Sequence, residues 1–296
     1  MQLLEHPPVG TVGVVGLGLM GRAFVQRLLE AGIKVHGLDV RLPTDLPSNL
    51  VVASSLASIA EQCDVLILAV FDTDQVQEVL LGADGLLALT TARPCVLCTS
   101  TCDPDRITVI AQRCEASGLP FLELPFSGTS LQVARGEGVG LIGGDASLAA
   151  RFLHVLDALC PNRQHVGRCG DANRTKLAVN LVLGLHRAAL AEGLVFGRRL
   201  GLDPAALLII LQNSAAASSV MKVKGAMMVE RRYESPQSRV DQSLKDFGLI
   251  QRLSRQKGQD LPMASLYIKL LESCVNLGQA HLDNAIIQEA IARCEA

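Results

Sequence analysis

Lys176 and Asn180 stand four positions apart in an otherwise apolar stretch, so a helix there carries an ammonium and a carboxamide on one face. Lys176 falls near the start of that helix, where the dipole opposes a cation and an apolar setting adds a desolvation penalty. An amine so placed is unfavourable unless it has a task, and Gly167-Arg168-Cys169-Gly170 gives a glycine-rich approach in front of it. A second group, Ser127-Gly128-Thr129, offers two hydroxyls and, through the glycine, backbone amides that a ligand can approach. Neutral donors of this kind suit a carboxylate, although the same residues also make an ordinary turn. The third group is Gly16-Leu17-Gly18-Leu19-Met20-Gly21, which follows the apolar run Val12–Val15.

Each glycine of that third group has a physical role. Gly16 permits the tight turn, Gly18 lets backbone approach a pyrophosphate, and Gly21 allows close helix–strand packing. The helix that opens at Leu19 and Met20 then aims unpaired amides and a positive dipole end at the phosphates. Asp39 closes the next strand-like run, Lys34–Leu38, where its carboxylate accepts hydrogen bonds from ribose hydroxyls and repels a 2′-phosphate. The expected cofactor is therefore NAD in preference to NADP, with Arg41 as the residue that in another geometry would hold the extra phosphate. Ligands of an open sheet sit beyond the carboxyl ends of its strands, so Val70 and Phe71 are expected at the adenine ribose and Thr101 at the nicotinamide ribose.

These residues require elements to hold them. Short apolar runs at Thr11–Val15, Lys34–Leu38, Val51–Ala53, Val65–Val70, Cys95–Thr99 and Phe121–Leu124 alternate with helical patterns near Leu19–Ala31, Ser55–Gln62, Asp74–Leu80 and Asp103–Ser117. Val139–Ile142 and His165–Val166 bracket a helix near Ala146–Leu159. Beyond about Gly170 strand signals stop, and helices are expected over Asp171–Leu200, Asp203–Gln212, Ser219–Val229, Gln242–Gln256 and Met263–Leu277. The reading is α/β: a Rossmann-type N-terminal domain with a parallel sheet over residues 1–168, then an all-α C-terminal domain over 169–296, joined by one long helix.

Composition narrows the function further. With a net charge of −2, no Trp, two Tyr and seven Phe, the chain lacks both the basic footprint and the stacking platform of a nucleic-acid binder. Nine cysteines, an odd number in a chain of 296 residues, fit a reducing cytoplasm better than a disulfide scaffold. Cys95, Cys98 and Cys102 are close in sequence, but residues three apart on a strand face opposite sides and no fourth ligand is near, so no metal is expected. Met1–Val9 contains Glu5 and no basic residue, which argues against a signal peptide. Leu177–Gly197 carries Asn180, His186, Arg187 and Glu192, too polar to span a bilayer comfortably. Apolar helix faces at Val179–Leu185 and Ile286–Ile291 are expected to need covering.

Taken together, Gly16–Gly21, Ser100-Thr101-Cys102-Asp103-Pro104, Pro125-Phe126-Ser127-Gly128, Lys176 with Asn180, and Lys245-Asp246 resemble the motifs of the β-hydroxyacid dehydrogenase family over nearly the whole chain. The resemblance implies NAD(P)-dependent hydride transfer to or from a small 3-hydroxy acid or its semialdehyde or keto partner. It implies Lys176 as general acid and base, Asn180 orienting the hydroxyl, and Ser127, Gly128 and Thr129 on the substrate carboxylate. Thr101 would steady the nicotinamide ribose, and Lys245 would help the helical domain close over the cofactor. Homodimers or homotetramers are the assemblies it suggests. Thr129, Ala172 and Val179 depart from residues usual in the family, and Glu123 and Cys98 occupy positions that are commonly Asp. Rival readings are an imine reductase on the same scaffold, against which Lys176 argues, and a non-catalytic NAD-binding regulatory protein, which has no need of the Lys176–Asn180 pair.

Overall fold

A computed structural model describes residues 10–90 and 92–294. The reading of Met1–Val9 lies outside them. The chain divides into two compact units between Lys176 and Leu177.

In the first unit, β1 (Thr11–Val15), β2 (Lys34–Leu38), β3 (Val51–Val52), β4 (Val65–Leu68), β5 (Cys95–Cys98) and β6 (Phe121–Glu123) run parallel in the order β3-β2-β1-β4-β5-β6. α1 (Leu19–Glu30), α2 (Leu56–Gln62), α3 (Thr73–Leu81) and α4 (Pro104–Ala116) make the crossovers. β4 and β5 are buried at every position, the pattern of central strands covered on both faces. Their side chains alternate between two cores. Ile67, Cys95 and Leu97 pack with Val12, Phe24 and Leu28, whereas Leu66, Leu68, Val96 and Cys98 pack with Ile59, Leu80 and Ile107. Cys95 and Cys98 thus face opposite sides of the sheet, as the two-residue period requires.

Beyond β6 the sheet ceases to be parallel. β7 (Phe126–Ser127) and β6 both pair antiparallel with β8 (Val139–Gly143), and β9 (Asn162–Gly167) then adds parallel to β8. β7 and the one-turn helix α5 (Ser130–Ala134) were not expected, since two residues of strand and five of helix are too short to show a period. The helix expected over Ala146–Leu159 is two, α6 (Ala146–Arg151) and α7 (Leu153–Leu159), broken at Phe152 with φ −115° and ψ 25°.

α8 (Asp171–Arg199) opens the helical region, followed by α9 (Pro204–Gln212), α10 (Ser219–Glu230), α11 (Val240–Gln256), α12 (Pro262–Asn276) and α13 (Ile287–Ala292). By length and composition alone α8 could cross a membrane, with a window of mean hydropathy 1.4. Its residues Leu190, Ala191 and Leu194 instead join Phe247, Tyr267 and Leu271 in the core of the second unit. There is no room for a Cβ at Gly184, which would lie 2.4 Å from Phe247. The expected open face at Ile286–Ile291 is corrected: Ile286, Ile287 and Ala290 are buried in this core. Val182, on the other expected face, is 51 % exposed.

Candidate active site

The parallel strands end in register. Val15 lies opposite Leu38 and Leu68, Leu68 opposite Cys98, and Cys98 opposite Glu123. The residues that follow these ends, Gly16–Gly21, Asp39–Arg41, Val70–Phe71 and Thr101, are thereby brought to one edge of the first unit. Gly16 has φ +95° and sits so close to the Ala69 carbonyl that a Cβ would come within 2.5 Å of it. At Gly21 a Cβ would lie 1.8 Å from Gly16 O, so α1 packs directly on the turn. Gly18, the exposed N-cap of α1, has no side-chain cap and open space at its Cβ position. Leu19 and Met20 open the helix behind it. A pyrophosphate fits this cradle: the open space at Gly18 is where a side chain would obstruct it, and an uncapped helix start supplies donors.

The Asp39 carboxylate is engaged by two backbone amides. Its Oδ2 accepts from the Leu17 amide at 2.6 Å and its Oδ1 from the Arg41 amide at 2.9 Å. The carboxylate therefore ties the end of β2 to the glycine turn, and its remaining lone pairs are those left for sugar hydroxyls. Arg41 is exposed. The loops after β4 and β5 are fixed in turn, because Ser100 Oγ donates to the Val70 carbonyl at 2.8 Å and the Asp103 amide donates to Thr73 Oγ1 at 2.9 Å. Val70, Phe71 and Thr101 are half-buried there.

Ser127 and Gly128 lead from β7 into α5, and Gly128 holds φ +144°. Thr129 is the N-cap of α5. Its hydroxyl oxygen accepts from the Gln132 amide at 3.3 Å, while its own amide donates to Gln132 Oε1 at 2.9 Å. The Thr129 amide is thus committed to the capping box, which leaves the hydroxyl hydrogen of Thr129 and the groups of Ser127 and Gly128 as donors.

Lys176 lies in the second turn of α8 and is only 7 % exposed. The turn before it is held by two residues whose partnership the sequence reading did not find. Glu123, fully buried at the end of β6, accepts from the Gly170 amide and from Asn173 Nδ2, the latter at 2.6 Å. Asn173 Oδ1 accepts from the Cys102 amide at 2.7 Å. Burial pushes the Glu123 carboxyl above its ordinary range, against the opposing pull of Asn173 and the amides of Gly170, Ala172 and Asn173. The departure from Asp at position 123 was the available signal; its partner fifty residues on had none.

In the second unit, Asn180 Nδ2 donates to Asp246 Oδ2 at 2.7 Å, and Lys245 Nζ lies 3.1 Å from Asp246 Oδ1. The segment leading into α11, the helix that carries both residues, is held by the buried Asp283. That carboxylate receives Lys224 Nζ at 2.6 Å and the amides of Gln237 and Ala285 at 2.8 and 2.9 Å. Burial, with Arg187 nearby, outweighs Asp283 and brings the Lys224 ammonium down to about 8.

Residues 11–167 match the family described as the NAD binding domain of 6-phosphogluconate dehydrogenase. Residues 170–291 match that described as the NAD-binding of NADP-dependent 3-hydroxyisobutyrate dehydrogenase. A dinucleotide cradle followed by this helical region defines an NAD(P)-dependent oxidoreductase acting on CH–OH groups. The chain belongs to the β-hydroxyacid dehydrogenase family. It is 29% identical to L-threonate dehydrogenase of Cupriavidus necator over 280 residues, 93% of this chain and 94% of that one. It is 26% identical to 2-hydroxy-3-oxopropionate reductase of Escherichia coli strain K12, covering 95% of this chain and 96% of the relative. Among solved structures it is similar to 3-hydroxyisobutyrate dehydrogenase from Salmonella typhimurium, with TM-score 0.83 and 27% identity over 94% of this chain and 99% of that one.

Proposed function

We propose that the protein moves hydride reversibly between nicotinamide and a small 3-hydroxy acid, or its semialdehyde or keto partner, with Lys176 as general acid and base. The observation that carries this reading is a nearly buried lysine on α8, in the unit whose strand ends bear the dinucleotide cradle. The relatives' names, a threonate dehydrogenase and a hydroxy-oxopropionate reductase, support small polyhydroxylated acids as the substrate class. NAD is the preferred cofactor because Asp39 presents a carboxylate where a 2′-phosphate would have to sit.

The cofactor supplies the hydride acceptor or donor. In oxidation, neutral Lys176 takes the hydroxyl proton as the C–H bond breaks; in reduction, its ammonium returns a proton to the developing alkoxide. Asn180, steadied by Asp246, orients the hydroxyl oxygen. Ser127, Gly128 and the Thr129 hydroxyl hold the substrate carboxylate, and Thr101 steadies the nicotinamide ribose. Lys245, paired with Asp246, is a cofactor-binding residue. The functional boundary falls at 168/169, supported by family matches that meet between residues 167 and 170. We further assign the enzyme to the cytoplasm as a homodimer or homotetramer.

The test is NADH absorbance with L-threonate, 3-hydroxyisobutyrate and D-glycerate, each with NAD and NADP, on the wild type and Lys176→Ala. Loss of roughly 10²–10⁴-fold in kcat with NAD affinity unchanged is expected. Near-normal turnover in Lys176→Ala overturns the assignment of the lysine. No turnover of any acid, with NAD still bound, favours the regulatory reading.

A further inference from the structure

We propose that Glu123 and Asn173 are positioning residues for Lys176, forming a buried bracket that fixes the first turn of α8 against the ends of β5 and β6. This rests on the reading of Lys176 as the proton-transfer group, and goes beyond it by assigning two residues that touch neither hydride nor proton.

Both residues are fully buried. The two oxygens of Glu123 are engaged separately, Oε2 by the Gly170 amide and Oε1 by Asn173 Nδ2. The donors are the otherwise orphaned N–H groups at a helix start, together with one carboxamide, and a carboxylate is the group that best complements that end of the dipole. Asn173 uses its other end as well: Oδ1 accepts from the Cys102 amide, the residue after Thr101. One side chain thus links the loop expected at the nicotinamide ribose to the helix that carries the lysine. Opposite Glu123, Gly143 leaves the needed space, since a Cβ there would come 2.7 Å from Glu123 Oε2.

Lys176 follows Asn173 by three residues and Ala172 by four, so it projects from the turn stacked on the bracket. A rotation or slip of the first turn is passed directly to the amine. Displacements of about 1 Å are enough to lower rates by about 10²-fold when a proton donor must meet a reacting oxygen. The bracket also accounts for a buried carboxyl at this position: the Asn173 side chain and the amides of Gly170, Ala172 and Asn173 all donate to it.

Glu123→Gln is nearly isosteric, yet whichever way its amide turns, an NH₂ meets a donor that the carboxylate accepted. Asn173→Ala removes both of that residue's bonds, and Glu123→Asp keeps the charge on a shorter stem. Each is compared with wild type and Lys176→Ala, using NAD and whichever of L-threonate, 3-hydroxyisobutyrate and D-glycerate the wild type oxidises fastest. The readouts are kcat, KM for NAD, the deuterium isotope effect on kcat with carbon-deuterated acid, and hydrogen exchange over residues 168–176. In Glu123→Gln and Asn173→Ala, kcat is expected to fall by about 10–100-fold with KM for NAD within about twofold. The isotope effect should rise as proton transfer is mispositioned, exchange over 168–176 should quicken, and Glu123→Asp should recover most of the rate. Wild-type kcat and isotope effect alongside faster exchange would make the pair a helix cap only and overturn the proposal, as would unchanged exchange. If Lys176→Ala itself retains turnover, it is the reading of the lysine that has failed; if Lys176→Ala is inactive while both bracket variants are normal, only the bracket has. Should Glu123→Gln not fold, the Glu123→Asp and Asn173→Ala data decide the question alone.

Discussion

Replacing Asp39 separates its observed tie to the glycine turn from the cofactor discrimination proposed for it. Its Oδ2 accepts from the Leu17 amide at 2.6 Å, inside the glycine turn, and its Oδ1 accepts from the Arg41 amide at 2.9 Å. Asp39→Asn removes the charge but retains one acceptor oxygen, whereas Asp39→Ala removes both acceptors. The electrostatic part follows from Coulomb's law: a carboxylate about 4 Å from a phosphate charge opposes it by about 4 kcal/mol at an effective dielectric of 20. Asp39 is half-exposed, and solvent and salt reduce that figure to about 1.5–3 kcal/mol, or roughly 10–100-fold in selectivity. The structural part is the loss of hydrogen bonds to an ionised acceptor, about 1.5–3 kcal/mol each when buried and less here. Both variants should therefore shift the ratio of kcat/KM for NAD over NADP towards NADP by about 10–100-fold, with the exposed Arg41 side chain left to meet the phosphate. Asp39→Ala should in addition lose NAD affinity, because the Leu17 amide no longer anchors the turn to β2. Steady-state kinetics with both cofactors, and calorimetric NAD titration, read the two parts separately. A selectivity ratio unchanged within twofold in Asp39→Asn would mean that the carboxylate serves the turn alone, and the ribose argument would fall.

Two further outcomes concern stability. Burial pushes the Cys95 and Cys160 thiols up to about 12 from the ordinary 9, so the stability they contribute is complete below pH 9 and is lost as pH rises from 9 towards 12. At pH 10 the two together should account for about 3 kcal/mol of lost stability; urea titrations at pH 8 and 10 should show the Cys95→Ala/Cys160→Ala variant losing less by that amount, and an identical loss refutes the linkage. The second is a double-mutant cycle on Arg187, whose Nη1 donates to the buried Tyr267 hydroxyl at 2.6 Å while its Nε has no partner. Tyr267→Phe strands a buried cation and should cost about 3–5 kcal/mol, Arg187→Met about 1–3, and the pair together little more than the milder single change; additivity in urea unfolding would show that the two are not coupled.

The sheet and its cofactor edge were largely legible in the sequence, because their signals are local. The run Val12–Val15, the turn at Gly16–Gly21 and the acid at Asp39 lie within one βαβ unit, and each demands the next. The helical half was legible for a similar reason: Asp203, where one helix was expected to open, is the N-cap of α9, and the helix expected from Met263 starts one residue earlier at Pro262. What escaped was contact between distant segments. Nothing local says that Asp39 reaches back to Leu17 or that Glu123 finds Asn173. The Ile286–Ile291 face was misread for the same reason: an apolar period states that a face must be covered, and tertiary packing decides by what.

α8 shows how a window average conceals such information. At 100° per residue, Asn173, Lys176, Asn180 and Arg187 fall within an arc of about 60°, a polar stripe on a helix whose mean hydropathy would suit a bilayer. Asn173 pairs with Glu123, Asn180 with Asp246 and Arg187 with Tyr267, and Lys176 is buried among them in sequence order. Lipid offers no such partners, and a lysine and an arginine in its hydrocarbon would each be strongly unfavourable. A stripe of this regularity is explained by side chains from other elements reaching one line on the helix. Lys176 and Asn180 stood out because a lysine and an asparagine at helical spacing suggest chemistry. Asn173 and Arg187 lie on the same line at the same period, and the period, more than the residue type, was the signal that all four belong together.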